Sequence, residues 1–382
     1  MIRAYKTEIN PTEEQKKKIK QTLGTCRYVY NFYVSYNDEL HKQHKKIKTA
    51  KEFSVWMNNE YLPLNPDKLW IKDVSSKSVK QSLENAYTAY RKFFKSECGY
   101  PKLKKKNDNN VKMYFVKNSK TECLCERHRI KVPTLGWVRL KEKGYIPFWK
   151  NCPEIISGYI STRNGRYYIS VNVDIPPRII ASARSGIGID VGVQNLAILS
   201  DGTIYQNINK TARVKKLEKQ LRRAQRSLSH KIEIQKKGEY TQYNINKQKL
   251  KVNKLHQRLL NIRTDYINKV ISEIAKTKPS YITIETLNIK KMMKNQYLSK
   301  CIANQSLYKF GTQLRHKCQW NGIELRTVDM FYPSSKICHN CGCVKKDLKL
   351  SDRTYKCGCG YIKDRDLNAA LNLRDAKIYS IA

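Results

Sequence analysis

Three carboxylates in this sequence share an unusual setting. Asp190 ends the apolar run Gly186-Ile-Gly-Ile-Asp190, Glu285 ends Tyr281-Ile-Thr-Ile-Glu285, and Asp366 lies in Asp364-Arg-Asp366-Leu-Asn-Ala-Ala-Leu-Asn372. Phosphodiester cleavage by in-line attack needs the attacking and leaving oxygens held together, which two divalent cations about 4 Å apart can do. Mg²⁺ suits the task because it takes oxygen from a few carboxylates and keeps water and phosphate as its other ligands. Rigid strands place acids where loops could not, so Asp190, Glu285 and Asp366 are read as catalytic acids and as ligands of two Mg²⁺. Singly, each acid has a plainer reading: Asp190 before Val-Gly as a turn former, Glu285 as an exposed strand-end charge, Asp364 or Asp366 as a helix cap. The setting they share favours a joint role.

A second constellation is made of thiols. Cys338-His-Asn-Cys341-Gly opens a knuckle that Cys357-Gly-Cys359-Gly closes. Four thiolates in two close pairs match a tetrahedral structural Zn²⁺ site. Cys-x-Cys stands where Cys-x-x-Cys is commoner, with Cys343 and His339 as spare donors. No thioredoxin-like strand and helix accompany the pairs, which argues against a redox dithiol. Cys123-Leu-Cys125 with His128 offers three ligands in a region of β pattern and is read as structural.

Lys and Arg number 75 against 32 Asp and Glu, a net charge of +43, with runs at Lys16–Lys18, Lys102–Lys106, Arg213–Arg226 and Lys290–Lys294. One run is ordinarily a solvated helix face. Charge spread along the whole chain repels itself unless a polyanion neutralises it, which points to nucleic acid. Some of the 25 tyrosines interleave with the cations, as at Tyr28, Tyr30, Tyr33, Tyr36, Tyr87 and Tyr90. Such rings suit stacking on unpaired bases, although helix packing explains most of them. Neither a signal-peptide core nor a run of about 18 apolar residues is present, so the expectation is a cytoplasmic protein with no membrane partner. In that reducing compartment the 12 cysteines imply metal rather than disulfides.

The elements that must position these groups follow from periodicity. Residues 2–8 read as a strand, and Pro11-Thr-Glu-Glu opens a helix running to about residue 45. After a loop at Leu62–Pro66, Val79, Leu83, Ala86, Tyr90 and Phe94 mark a helix over 74–94. Strands are expected at 111–116, 128–132, 137–140, 155–161 and 167–173, forming a small barrel or sandwich that strand 2–8 joins across a helical insertion. A hairpin at 186–202 begins another domain. It is followed by a basic helical pair at about 212–270, the strand ending at Glu285, a helix at about 305–320 and a strand at 324–328.

Together these residues resemble the TnpB family of insertion-sequence nucleases, related to type V CRISPR effectors. The match runs through Gly186–Gly192, Ile284-Glu-Thr-Leu-Asn288, Tyr332-Pro-Ser-Ser-Lys336-Ile-Cys-x-x-Cys-Gly342 and Asp364-Arg-Asp-Leu-Asn-Ala-Ala370. Less sharply, it extends to Gly158–Ser170 as a wedge hairpin and Ser78–Phe94 as a recognition helix. Tyr308 departs from a frequent Trp. The resemblance implies a multidomain α+β protein: an RNase H-like RuvC nuclease domain at 184–330 and 361–382 with a zinc ribbon at 331–360. A wedge β-barrel at 1–10 and 103–183 would carry a helical recognition domain at 11–102. It further implies cleavage of target DNA, double- and single-stranded, by a monomer carrying guide RNA from the transposon end. A short flanking DNA motif would be read by the protein, with Lys77, Gln81, Arg91 and Lys104 as nucleic-acid contacts. The rivals are an inactive RNA-guided repressor, which should have lost an acid, and an accessory protein of transposition.

Overall fold

The N-terminal alternation forms strand β1 (Ile2–Asn10), and its partners lie far down the chain. The computed structural model describes residues 2–382 except 107–110, 118–121, 149–153, 177–184, 237–241 and 350–351. The expected boundary at 183/184 lies outside the described residues. By internal contacts the chain divides into residues 1–176 and 177–382.

In the first unit, Thr12 caps helix α1 (Glu13–Lys42) reciprocally with Gln15, and Glu13 and Glu14 sit at its positive end. Helices α2 (Ala50–Trp56), α3 (Leu62–Leu64) and α4 (Ser76–Phe94) follow. The expected loop at 62–66 is instead mostly helical, because fully buried Leu62 anchors the turn and Pro63 occupies a first-turn position that needs no amide. Tyr33 and Tyr90 are buried in this helical core, and Tyr90 donates to the Val34 carbonyl at 3.0 Å. These rings are packing residues and not bases' stacking partners.

Strands β2 (Lys112–Val116), β3 (Arg129–Val132), β4 (Gly136–Leu140), β5 (Ile155–Arg163) and β6 (Arg166–Asp174) complete an antiparallel sheet ordered β2-β5-β6-β1-β4-β3. Asn164 and Gly165, both at positive φ, make the tight turn between β5 and β6. β1 pairs with β6 from Ile2–Asp174 to Ile9–Tyr167, so the helices are an excursion between sheet strands. The edge strands do not pair with each other among the described residues. Met113 and Phe115 nevertheless share one core with Ile130 and Val132, so the sheet curls around it.

The second unit is built on β7 (Ile187–Val191), β8 (Asn195–Leu199) and β9 (Ile204–Gln206), an antiparallel meander. Helices α5 (Ala212–Lys236) and α6 (Gln242–Lys276) then lead to β10 (Tyr281–Glu285), parallel to β7. Short helices α7 (Ile289–Met292) and α8 (Ser299–Gln305) precede α9 (Leu307–Asn321). The helix expected at about 305–320 is α9, and Ser306, at φ 57°, separates its start from α8. Strand β11 (Glu324–Val328) lies parallel to β10. The small pair β12 (Thr354–Lys356) and β13 (Ile362–Asp364) leads into helix α10 (Arg365–Arg374) and strand β14 (Ser380–Ile381). The main sheet is ordered β14-β11-β10-β7-β8-β9.

One face of this sheet packs Ile187, Ile189 and Ile282 against Ile267, Ile271 and Ile274 of α6 and Phe310 and Leu314 of α9. The other carries α10. A Cβ on Gly188 would stand 1.9 Å from the Ala370 carbonyl oxygen and 2.4 Å from the Arg374 nitrogen, so the helix backbone lies directly on the strand. The N-terminal part of α6 packs against α5 through Val214, Leu217, Leu221, Val252 and Leu259.

Candidate active site

The two-residue period of a strand decides which way the acids face. In β7, Ile187 and Ile189 point into the core, so Gly188 and Asp190 point to α10. In β10, Ile282 is core, so Thr283 and Glu285 share the α10 side. The parallel register pairs Ile284 with Ile189 and so sets Glu285 beside Asp190 at the next step. Asp366, in the first turn of α10, completes the group from above the sheet.

From sequence, Asp366 of Asp364-Arg-Asp366 is taken as the site acid, with either acid able to cap the helix. Asp364 is the helix cap: its Oδ1 accepts from the amides of Asp366 and Leu367, each at 3.0 Å. Asp366 and Asp190 line one cleft of about 310 Å³ with Arg353 and Arg365. Arg365 donates from Nε and Nη2 to Asp366 Oδ1 at 3.0 and 2.9 Å, and Arg353 Nη1 stands 3.6 Å from Oδ2. Burial, then the charges of Glu285 and Asp366, push the Asp190 carboxyl up to about 8. Burial also raises Glu285, against which the Ser334 hydroxyl donates a hydrogen bond that favours the charged form. Glu285 does not line this cleft, and the ligand atoms of the three acids do not all lie within 4.8 Å of one another, but carboxylate oxygens are hard donors of the kind that fit Mg²⁺.

Among the described residues, the four cysteines are the only group of three or more ligand-type side chains whose ligand atoms all lie within 4.8 Å. The sulfurs of Cys338 and Cys359 are 3.7 Å apart and those of Cys341 and Cys357 3.6 Å. A tetrahedron with metal–sulfur bonds of about 2.3 Å has edges of about 3.8 Å. The short Cys-x-Cys spacing therefore meets the geometry, with Gly360 at φ 85° turning the chain after it. The Tyr361 amide, then the Asn340 side chain, hold the Cys359 thiol down to about 6. His339 is turned away from the sulfurs, its Nδ1 3.3 Å from Asn372 Oδ1. Cys343 is exposed and outside the cluster. Among the described residues, Cys123 and Cys125 belong to no group of three ligand-type side chains that close together.

The nucleic-acid candidates have different surroundings. Lys77 is exposed and Gln81 half-buried one turn on, on the side of α4 away from buried Val79 and Leu83, with Gln81 Nε2 3.3 Å from Asn85 Oδ1. Arg91 is exposed near the Tyr87 ring. Lys104 is strapped to α1, its backbone paired with the Asn31 side chain at 2.8 and 2.9 Å and its ammonium 3.6 Å over the Tyr30 ring. Sequence reasoning missed Ser334, Asn368, Asn372 and the arginines. The four-residue spacing of the two asparagines, which puts both on one helix face, was the signal available.

The chain has relatives among known proteins. Family models match residues 170–296 ("Probable transposase"), 308–373 ("Cas12f1-like, TNB domain") and 1–46 ("Helix-turn-helix domain"). The last covers residues that here form one strand and one long helix. Among curated proteins, the chain is 30% identical to the "Putative RNA-guided DNA endonuclease InsQ" of Escherichia coli K12, over 97% of this chain and 91% of that one. It is 26% identical to a "Putative RNA-guided DNA endonuclease" of Streptomyces pristinaespiralis, over 100% and 90%. A solved CRISPR-Cas12f ternary complex aligns over 97% of this chain and 83% of that one at 15% identity, with a TM-score of 0.41, too loose a likeness to carry weight.

Proposed function

This chain belongs to the TnpB family, and on that premise we propose that it is an RNA-guided DNA endonuclease whose cutting centre is the cluster of Asp190, Glu285 and Asp366. What supports the reading is the placement of three acids from two parallel strands and a helix start on one side of a sheet, where burial first, and then the charges of Glu285 and Asp366, push Asp190 up to about 8.

Mg²⁺ bound there supplies the positive charge that aligns the attacking and leaving oxygens of a phosphodiester. The protein's own residues do the rest. Asp190 and Glu285, fixed by neighbouring strands, hold their carboxylates at the sheet edge. Ser334 orients Glu285. Asp364 fixes where α10 starts and so where Asp366 stands. Arg365 and Arg353 hold Asp366 in the cleft and add cations that suit a phosphate. The four cysteines hold one structural Zn²⁺.

On this reading residues 184–330 and 361–382 are a RuvC-type RNase H-like domain and 331–360 its zinc ribbon. Residues 1–10 and 103–183 are the wedge, and 11–102 the recognition helices. Guide RNA pairs with the target strand, while the protein holds the backbone and reads a short flanking DNA motif, with Lys77, Gln81 and Arg91 among the groups facing nucleic acid. The protein acts as a monomer with its RNA in the cytoplasm. Among the described residues no helix is long and apolar enough to cross a membrane.

The test is RNA-loaded Asp190→Ala and Asp366→Ala. Each should lose target cleavage in Mg²⁺ by orders of magnitude while keeping RNA-dependent DNA binding, and the double variant should lose little more, since the acids act as one unit. Wild-type cutting by either variant would remove the cluster from the chemistry.

A further inference from the structure

Between the cysteines and the acids runs a chain of hydrogen bonds. Asn368 and Asn372 lie one turn apart on α10, both buried. Asn372 Nδ2 donates to the carbonyls of Ser334 and Ile337, each at 2.7 Å, and Asn368 Nδ2 donates to the same Ile337 carbonyl at 2.7 Å. Asn368 Oδ1 in turn accepts from the His339 amide at 3.2 Å. The two amides thus fasten residues 334–339 to the helix that carries Asp366. At one end of that segment is the ligand Cys338, whose amide donates to the Cys343 carbonyl at 2.9 Å in the knuckle. At the other is Ser334, 3% exposed, whose hydroxyl donates to Glu285.

Within the knuckle the segment is held by the single antiparallel bridge of Ile337 with Val344 and by the Tyr355 hydroxyl, which donates to the Lys336 carbonyl at 3.0 Å. These bonds tie it to the four-cysteine knuckle, while the asparagines tie it to α10. Hydrogen-bonded groups behind a metal ligand set its orientation, and losing one typically costs about 10-fold or more in metal affinity or activity.

We propose that Ser334, Asn368 and Asn372 are positioning residues that couple the four-cysteine site to the carboxylates, so that metal in the knuckle determines how firmly Glu285 is held. The inference rests on the reading of the acids as the cutting centre. It makes the knuckle a brace for that centre as well as a fold element.

The experiment uses full-length, RNA-loaded protein and reads two quantities: the Mg²⁺ concentration giving half-maximal single-turnover cleavage, and the rate of zinc release to a chromogenic chelator. Ser334→Ala should raise the Mg²⁺ requirement about 10-fold with zinc release unchanged. Asn372→Asp, which keeps the acceptor for His339 but loses the amide donor, should raise both. Stripping zinc from wild type should raise the Mg²⁺ requirement, and stripping it from Ser334→Ala should add little, because both act through one bond. The coupling is overturned if Ser334→Ala leaves the Mg²⁺ requirement unchanged, or if stripping and substitution multiply as independent effects. It is equally overturned if Asn372→Asp releases zinc no faster than wild type. Should Asn372→Asp not fold, the stripping cycle on Ser334→Ala decides alone. Wild-type protein with no Mg²⁺-dependent cleavage would instead sink the nuclease reading, and zinc release would then judge the brace by itself.

Discussion

At the scale of single residues, the protonation of Asp190 is the property most open to measurement. Its folded value of about 8 stands above the ordinary 3.8, so between those pH values the folded chain holds a proton that the unfolded chain has released. Stability without metal therefore falls as pH rises through that window. Divalent cations displace the proton, so the Mg²⁺ needed for cleavage should fall as pH rises toward 8. Thermal melts in metal-free buffer at pH 6 and pH 8.5 should show wild type losing more stability than Asp190→Asn, and Mg²⁺ at pH 8.5 restoring it only in wild type. Equal losses in the two proteins would contradict this origin of the shift. Asp364 supplies a contrast. Asp364→Ala removes a cap worth about 1 kcal/mol and should weaken α10 and cleavage mildly, far short of the loss expected for Asp366→Ala.

At the scale of elements, the seat of α10 on β7 is set by an atom that is missing. With backbone on both sides of the contact, Gly188→Ala cannot be relieved by a rotamer change, and overpacking there should cost about 3 kcal/mol and shift Asp366 from Asp190. Gly24, inside α1 with nothing within 4 Å of its would-be Cβ, is the control: Gly24→Ala should stabilise by about 0.5–1 kcal/mol. Chemical denaturation of both variants, with cleavage rates, checks the pair. Cys341→Ser should drop zinc from about one per chain to none by elemental analysis and lower the melting temperature.

At the scale of the whole molecule, a charge of +43 dominates. On the α5–α6 hairpin, Arg223, Lys247, Lys251, Lys254 and Arg258 line one groove that contains no acid among the described residues. Purified protein should carry RNA, with an affinity that falls steeply and linearly in log salt. Removing that RNA should abolish cleavage, and site-specific cutting by RNA-free protein would refute guidance. Reversing Lys251, Lys254 and Arg258 together to Glu should flatten the salt dependence while leaving the melting temperature near wild type.

The local record in the sequence was enough to place the strands ending at Asp190 and Glu285, the paired cysteines and the start of α10. Each is a short-range pattern: an apolar run that stops at an acid, ligands a few residues apart, a cap before a helix. It was also enough to bring β1 to the later sheet, because an alternating strand with no early partner must pair elsewhere. The choice of Asp366 over Asp364 came from the resemblance and not from local pattern, since both sit at a helix start and only the direction of a side chain distinguishes a cap from a cleft residue. Nor could local pattern show that 62–66 is helical, that Ser306 separates α8 from α9, or that Lys104 rests on Tyr30, because burial of a distant neighbour decides each. Ser334 reaches Glu285 across 49 residues and Asn372 reaches Ser334 across 38. Periodicity reports which face a residue occupies, but a hydrogen bond between elements depends on their register and packing, and these exist only once the chain has folded.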